Sequence, residues 1–301
     1  MLATALLAAA LLLPTAQDPA PWRRILERAE ALKPGSPDLL KCLEEIDAEA
    51  ARGPSVAGNH FVRGWILSTL RRDEEAVAAY DRAFALDRTL AGAAYNAGVI
   101  LSDGKRHREA RDRYLAALGA DPSHVDAAYN AGQASQLLNE YDKALEHWTT
   151  ARRLTPEDFE VNKKILQALH ALGREDEAAK ARERLLELHK ASADPKIRKL
   201  TQFVFEQFDV DGVHVFAYEA IAPAEDGPFY TYVLTDVREK PTSRILFVSS
   251  PELRAAGTPY TLRIRRADKT EEATSTALKE RPSVAELRGL VKQLIQEKKL
   301  R

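Results

Sequence analysis

The pentapeptide AYNAG occupies residues 94–98 and recurs at residues 128–132, and the two copies stay in step downstream. Gly98 is followed by Ala110, Tyr114, Ala117 and Pro122. Gly132 is followed by Ala144, Trp148, Ala151 and Pro156, at the same offsets of 12, 16, 19 and 24 residues. One period earlier stand Gly64, Ala76, Tyr80 and Ala83, with Arg88 replacing the proline; one period later stand Leu166, Ala178, Arg182 and Leu185. A period of 34 residues constrains the fold more than any composition does. Each unit is one supersecondary piece that cannot bury its apolar face alone, so neighbouring units must stack.

The residue types point to helical hairpins. Gly64, Gly98 and Gly132 should meet Ala76, Ala110 and Ala144 where two helices cross, since only small side chains allow close approach. Tyr80, Tyr114 and Trp148 should fill the wedge towards the next unit, and Pro122 and Pro156 should stop the second helix, because proline lacks an N–H and clashes with the preceding turn. This pattern resembles the tetratricopeptide (TPR) family. The resemblance spans four units, 57–90, 91–124, 125–158 and 159–192, within residues 57–195. Residues 21–56 read as an atypical helical hairpin capping the array, with runs Pro21–Leu32 and Pro37–Ala51 broken by KPGSP.

From about Pro195 the apolar period changes from that of a helix to that of a strand. Segments at 202–208, 212–218, 229–235, 244–250 and 260–266 are rich in Val, Ile, Phe, Tyr and Thr and bounded by turn residues. Asp211-Gly212 suits the hairpin between the first two, and Thr274–Leu278 reads as weak strand or loop. Ser283 and Glu286 form a capping box for a last helix whose stripe of Val284, Leu287, Leu290, Val291, Leu294 and Ile295 should pack on the sheet. The expected fold class is therefore α+β in two domains: a right-handed TPR-type helical solenoid, then an antiparallel α+β domain at 196–301 that resembles no recognised family.

Residues 1–20 contain an apolar run, Leu2–Leu13, too short to span a bilayer as a helix. It reads as a signal peptide cleaved after Ala16, implying a periplasmic or secreted protein with no stable membrane span after cleavage. The 44 basic and 45 acidic residues leave no global footprint for nucleic acid. Cys42 is the only cysteine, which excludes an intrachain disulfide and a cysteine zinc site. The histidines show no metal-ligand spacing, and DVDGVHVFAYE lacks the ligand pattern of a calcium loop. No catalytic residue, cofactor or metal is expected. Arg263, Arg265 and Arg266 form a basic run on one strand, read as a solvated face or a small anion site.

The resemblance implies where the working surface lies. TPR grooves are lined by one face of each first helix, which here carries Phe61 and Trp65; Tyr95, Asn96 and Val99; Tyr129, Asn130 and Gln133; and Lys163, Lys164 and Gln167. Asn96 and Asn130 would offer amides to a peptide backbone of any sequence, because an amide both donates and accepts. Asp126 or Glu160 stands where a lysine is needed to grip an acidic C-terminal tail, which excludes that mode. The resemblance thus implies a non-enzymatic scaffold binding an extended peptide or protein segment, with self-association as a further option, and the N-terminal apolar run makes it an exported one. The alternative from another class is a small-ligand or catalytic site in the C-terminal domain, around His214, Tyr218, Tyr230 and Arg263.

Overall fold

The 34-residue frame reappears as hairpins in a computed structural model of the chain, which describes residues 20–52, 56–221, 228–235, 241–249, 260–266, 269–278, 282, 284–298 and 300. The predicted signal peptide, Pro54 and Ser283 of the capping box lie outside the described residues. Two compact units divide at Thr155/Pro156.

The first unit holds eight described helices: α1 (Pro21–Glu30), α2 (Asp38–Arg52), α3 (Ala57–Thr69), α4 (Asp73–Leu86), α5 (Ala91–Asp103), α6 (His107–Ala120), α7 (Val125–Leu137) and α8 (Tyr141–Leu154). The repeat glycines make room chiefly for rings, and at Gly98 also for the crossing helix itself, since a Cβ there would lie 3.2 Å from the Ala110 carbonyl. A Cβ at Gly64, Gly98 or Gly132 would lie 2.9, 2.7 or 2.4 Å from Tyr80, Tyr114 or Trp148 respectively. The cap docks by the same device, since a Cβ at Gly58 would meet the Trp22 indole at 2.4 Å. Cys42 is buried inside that cap.

The period is also written in the backbone. Each turn from the first to the second helix places one residue in the left-handed region, at Arg71 (φ 60°), Lys105 (φ 61°), Asn139 (φ 59°) and, in the fourth hairpin, Gly173 (φ 69°). Helix ends repeat too. α6 stops at Ala120 before Pro122, and α4 stops at the equivalent Leu86 although Arg88 replaces the proline. The reason is a side-chain cap: Asp87 accepts from the Thr89 amide at 2.9 Å, and Asp121 accepts from the Ser123 amide at 2.9 Å.

The second unit comprises α9 (Phe159–Ala171), α10 (Glu175–Ala191), the short α11 (Pro195–Arg198), six strands and α12 (Val284–Lys298). The strands are β1 (Gln202–Val210), β2 (Val213–Ala220), β3 (Pro228–Thr235), β4 (Pro241–Ser249), β5 (Tyr260–Arg266) and β6 (Glu271–Leu278). They form one antiparallel meander in chain order. The sixth strand is a full edge strand beyond the five expected. Asp211 (φ 48°) and Gly212 (φ 80°) make the β1–β2 turn, as the Asp-Gly pair predicts.

One face of the sheet is buried through Val215, Ala217, Tyr232, Leu234, Ile245, Phe247, Leu262 and Ile264. Phe205, Tyr230, Phe247 and Tyr260 form a chain of ring contacts across it, with centroids 5.2, 6.0 and 5.4 Å apart. Val284, Leu287, Val291, Leu294 and Ile295 of α12 are buried, and α12 packs against β1. The fourth hairpin, grouped with the repeats by its sequence, thus packs as part of the sheet-bearing unit.

Candidate peptide-binding face

In the first unit the first-helix faces of the second and third repeats converge on Tyr95. Its ring lies 5.8 Å from Tyr114 and 4.7 Å from His124, and its hydroxyl accepts from Asn130 Nδ2 at 3.2 Å. Burial, with the Asp126 carboxylate next, pushes the Tyr95 phenol up to about 12. Asp103 has the same sense of effect on Tyr114, so both acids border one aromatic pair. Around this pair Val99, Tyr129, Asn130, Gln133 and Gln136 are half-buried, while Asp103 and Asp126 are exposed.

Four residues expected to line an open groove are buried instead. Phe61 (4% exposed) meets Tyr80 edge-on at 5.5 Å, and Trp65 and Tyr95 are buried beside it and beyond. Asn96, 1% exposed, sits with Ser68 beside the buried Tyr80 hydroxyl. For Phe61, Asn96 and Tyr95 the physical reason is shared: the second-helix aromatics Tyr80 and Tyr114, admitted by the repeat glycines, reach the first-helix face and lie against these side chains. The expected pair of open asparagines reduces to Asn130.

In the second unit the equivalent face of α9 is occupied by the chain itself. Gln167 donates its side-chain amide to the Val204 carbonyl of β1. The β1–β2 register shifts between Val204 and Glu206, a bulge at Phe205, whose fully buried ring packs on His170 at 5.3 Å. Lys163 is bound to Glu160 at 2.8 Å, and burial, reinforced by Lys163, lowers the Lys164 ammonium. These residues therefore do not form the basic end of an open groove. Around His170 lie Glu175 at 3.6 Å and two partly buried ion pairs, Arg182 with Glu219 and Arg288 with Glu206.

Tetratricopeptide-repeat models match residues 57–90, 95–137 and 136–195, the segment built of these hairpins. Residues 57–195 are a tetratricopeptide-repeat segment. Solved structures that match part of the chain include a MamA protein (20% identity, TM-score 0.49, 56% of this chain and 90% of that one). Others are MamA from Desulfovibrio magneticus RS-1 (23% identity, TM-score 0.46, 57% and 96%) and YrrB (27% identity, TM-score 0.43, 48% and 75%), the last described as having an unusual peptide-binding site. No curated protein matches the sequence.

Within the TPR frame, Gln133 and Gln167 hold the same position one 34-residue period apart. One amide already carries an extended backbone; the other is partly open to solvent. Reading the sequence alone missed this pairing, because Gln167 bonds a strand 37 residues away. The alternative constellation in the C-terminal sheet does not converge. His214 and Tyr218 share the half-exposed face of β2, where His214 Nδ1 meets Asp209 at 2.6 Å, whereas Tyr230 is buried opposite Glu219 on the other face. Among the described residues no group of His, Cys, Asp and Glu could hold a metal ion, and no helix is long and apolar enough to cross a membrane.

Proposed function

We propose that this chain is an exported, non-enzymatic TPR scaffold that receives an extended segment of a protein partner along the first-helix faces of its second and third repeats. The observation that supports this reading most directly is the Gln167 contact. There a first-helix amide already holds the main-chain carbonyl of an extended strand, and Gln133 presents the same group in repeat three. Backbone recognition of this kind gives affinity without fixing sequence. Asp103 and Asp126, exposed acids bordering the Tyr95–Tyr114 pair, favour basic side chains on the bound segment. The apolar run Leu2–Leu13 supports export.

Photo-crosslinking from residue 133 of the full-length protein, expressed in its own cell envelope, tests the reading. A discrete adduct from position 133, absent when the crosslinker sits at the outward-facing Arg153, is the expected result. The adduct should weaken in an Asn130→Ala background. Equal labelling from both positions, or none from 133, would remove the proposal.

A further inference from the structure

The residue that opens the first helix falls at one place in the 34-residue frame, and the four repeats fill that place differently. Val56 and Leu90 give their helices no side-chain cap. Asp158 caps α9, its carboxylate accepting from the Val161 amide at 2.9 Å. In repeat three the place is held by His124, whose Nδ1 accepts from the Ala127 amide at 3.3 Å. A histidine is an uncommon choice there, since Asp, Asn, Ser and Thr are the side chains that cap helices best. It differs from them in that an imidazole gains a proton within about pH 8 to 5 and then has no acceptor left. The half-buried ring is also part of the candidate face. It packs on Tyr95 with centroids 4.7 Å apart and a tilt of 33°, beside the hydroxyl that receives the Asn130 bond. Asp121 precedes it in the turn, its carboxyl held low by the Ser123 hydroxyl, with the His124 ring acting in the same sense. Asp126 stands in the first turn of α7, and the Tyr95 phenol of α5 has Tyr114 of α6 behind it.

We infer, on the strength of the function proposed for this face, that His124 is a proton-operated clasp which holds the face ready for an extended basic segment when neutral and weakens its grip on that segment when protonated. Two effects act together. A proton on Nδ1 sets a second donor against the Ala127 N–H, so the cap is lost, and a positive charge at a helix N-terminus opposes the helix dipole. The first turn of α7 carries Asp126 and leads into Tyr129 and Asn130, so loosening it disturbs the residues offered to the partner. The imidazolium also adds a positive charge against the Tyr95 ring, which Asp126 borders, and so offsets the attraction for basic side chains. Asp121 and Asp126 supply the opposite charge that lets the ring take up the proton while the repeat stays folded.

The test is fluorescence anisotropy of a labelled peptide, acetyl-Lys-Val-Lys-Val-Lys-Val-amide, titrated with the full-length protein. Two conditions, about pH 7.5 and about pH 5.5, bracket the value near 6.5 at which a free imidazole titrates. The wild-type Kd should rise about fivefold or more in acid, the size expected for a lost helix cap. His124→Asn, which caps a helix without titrating in this range, should keep its Kd within about twofold. A wild-type Kd that does not change with pH, or an equal loss in His124→Asn, overturns the clasp and leaves the groove reading standing. Absence of binding at both conditions removes the clasp together with the preference for basic segments. A second measurement needs no peptide: at about pH 7.5 the ring nitrogen shifts of His124 in the NMR spectrum should place the proton on Nε2 and leave Nδ1 as the acceptor. A proton on Nδ1 under that condition overturns the assignment.

Discussion

Asn130 on the first helix of repeat three donates to the Tyr95 hydroxyl on the first helix of repeat two at 3.2 Å, tying adjacent repeats together through the residues that would otherwise greet a partner. The bond uses one Asn130 donor and leaves its Oδ1 without a hydrogen-bond partner among the described residues. Tyr95→Phe should therefore destabilise the first unit by about 1 kcal/mol, the worth of one partly buried hydrogen bond. In a double-mutant cycle with Asn130→Ala, measured by urea unfolding, the two effects should fall short of additive. Full additivity would mean that the contact carries no energy.

Gly132→Ala tests the ring-over-glycine packing. The added methyl would fall 2.4 Å from Trp148 Nε1, which donates to the Tyr129 carbonyl at 3.1 Å. Moving the indole loses that bond, so a destabilisation of about 1 to 3 kcal/mol is expected, with a change in tryptophan emission in the folded state. Gly119→Ala is the matched control, since a Cβ there meets nothing within 4 Å. It should be neutral or mildly stabilising.

The left-handed turn position predicts opposite signs in different repeats. Lys105 holds φ 61° despite its side chain, whereas Gly173 holds φ 69° without strain. Lys105→Gly should stabilise by roughly 0.5 kcal/mol and Gly173→Ala should destabilise by about 1 kcal/mol. Denaturant midpoints of the two variants decide the matter. A neutral Gly173→Ala would show that the turn relaxes rather than dictates.

The second unit should carry an acid-sensitive term. Burial, with Arg288 and Arg182 adding to it, pushes the His170 imidazole down to about 4. An unfolded histidine titrates near 6.5, so the unfolded chain takes up a proton that the folded chain refuses between about pH 6.5 and 4. This contribution is complete above pH 6.5 and is lost as pH falls towards 4, a change of at most about 3 kcal/mol. Burial raises the neighbouring Glu206 carboxyl despite its Arg288 partner, which acts in the opposite sense and is common to both proteins compared. His170→Phe should thus show a shallower loss of melting temperature between pH 7 and 4.5 than wild type. Parallel curves would refute the assignment.

Much of the architecture was legible because it rests on side-chain size at fixed intervals. Gly98 and Gly132 with Tyr114 and Trp148 declare the hairpin spacing, and the Val, Ile, Phe and Tyr runs declare five strands. β6 was harder to read, because Glu271–Leu278 (EEATSTAL) alternates too weakly to declare a half-buried strand. The candidate site was less legible still. Whether Tyr95 and Asn96 face solvent depends on how far Tyr80 and Tyr114 reach from the neighbouring helix, and no spacing rule encodes that distance. Gln167 looked like a groove residue because its partner, the Val204 carbonyl, is a backbone atom and leaves no trace in residue type.

That contact also bears on how such a chain can change length over generations. A hairpin such as residues 91–124 could be duplicated in tandem, because its Gly98 and Tyr114 meet inside the unit and each copy brings both. A duplicate of residues 159–192 would bring a second Gln167 and a second His170 but no second Val204 or Phe205, and one copy would be left with a bare apolar face and an idle amide. Gain or loss of repeats is therefore tolerated upstream of the fourth hairpin and penalised at it, which makes the last hairpin the fixed end of an otherwise adjustable array.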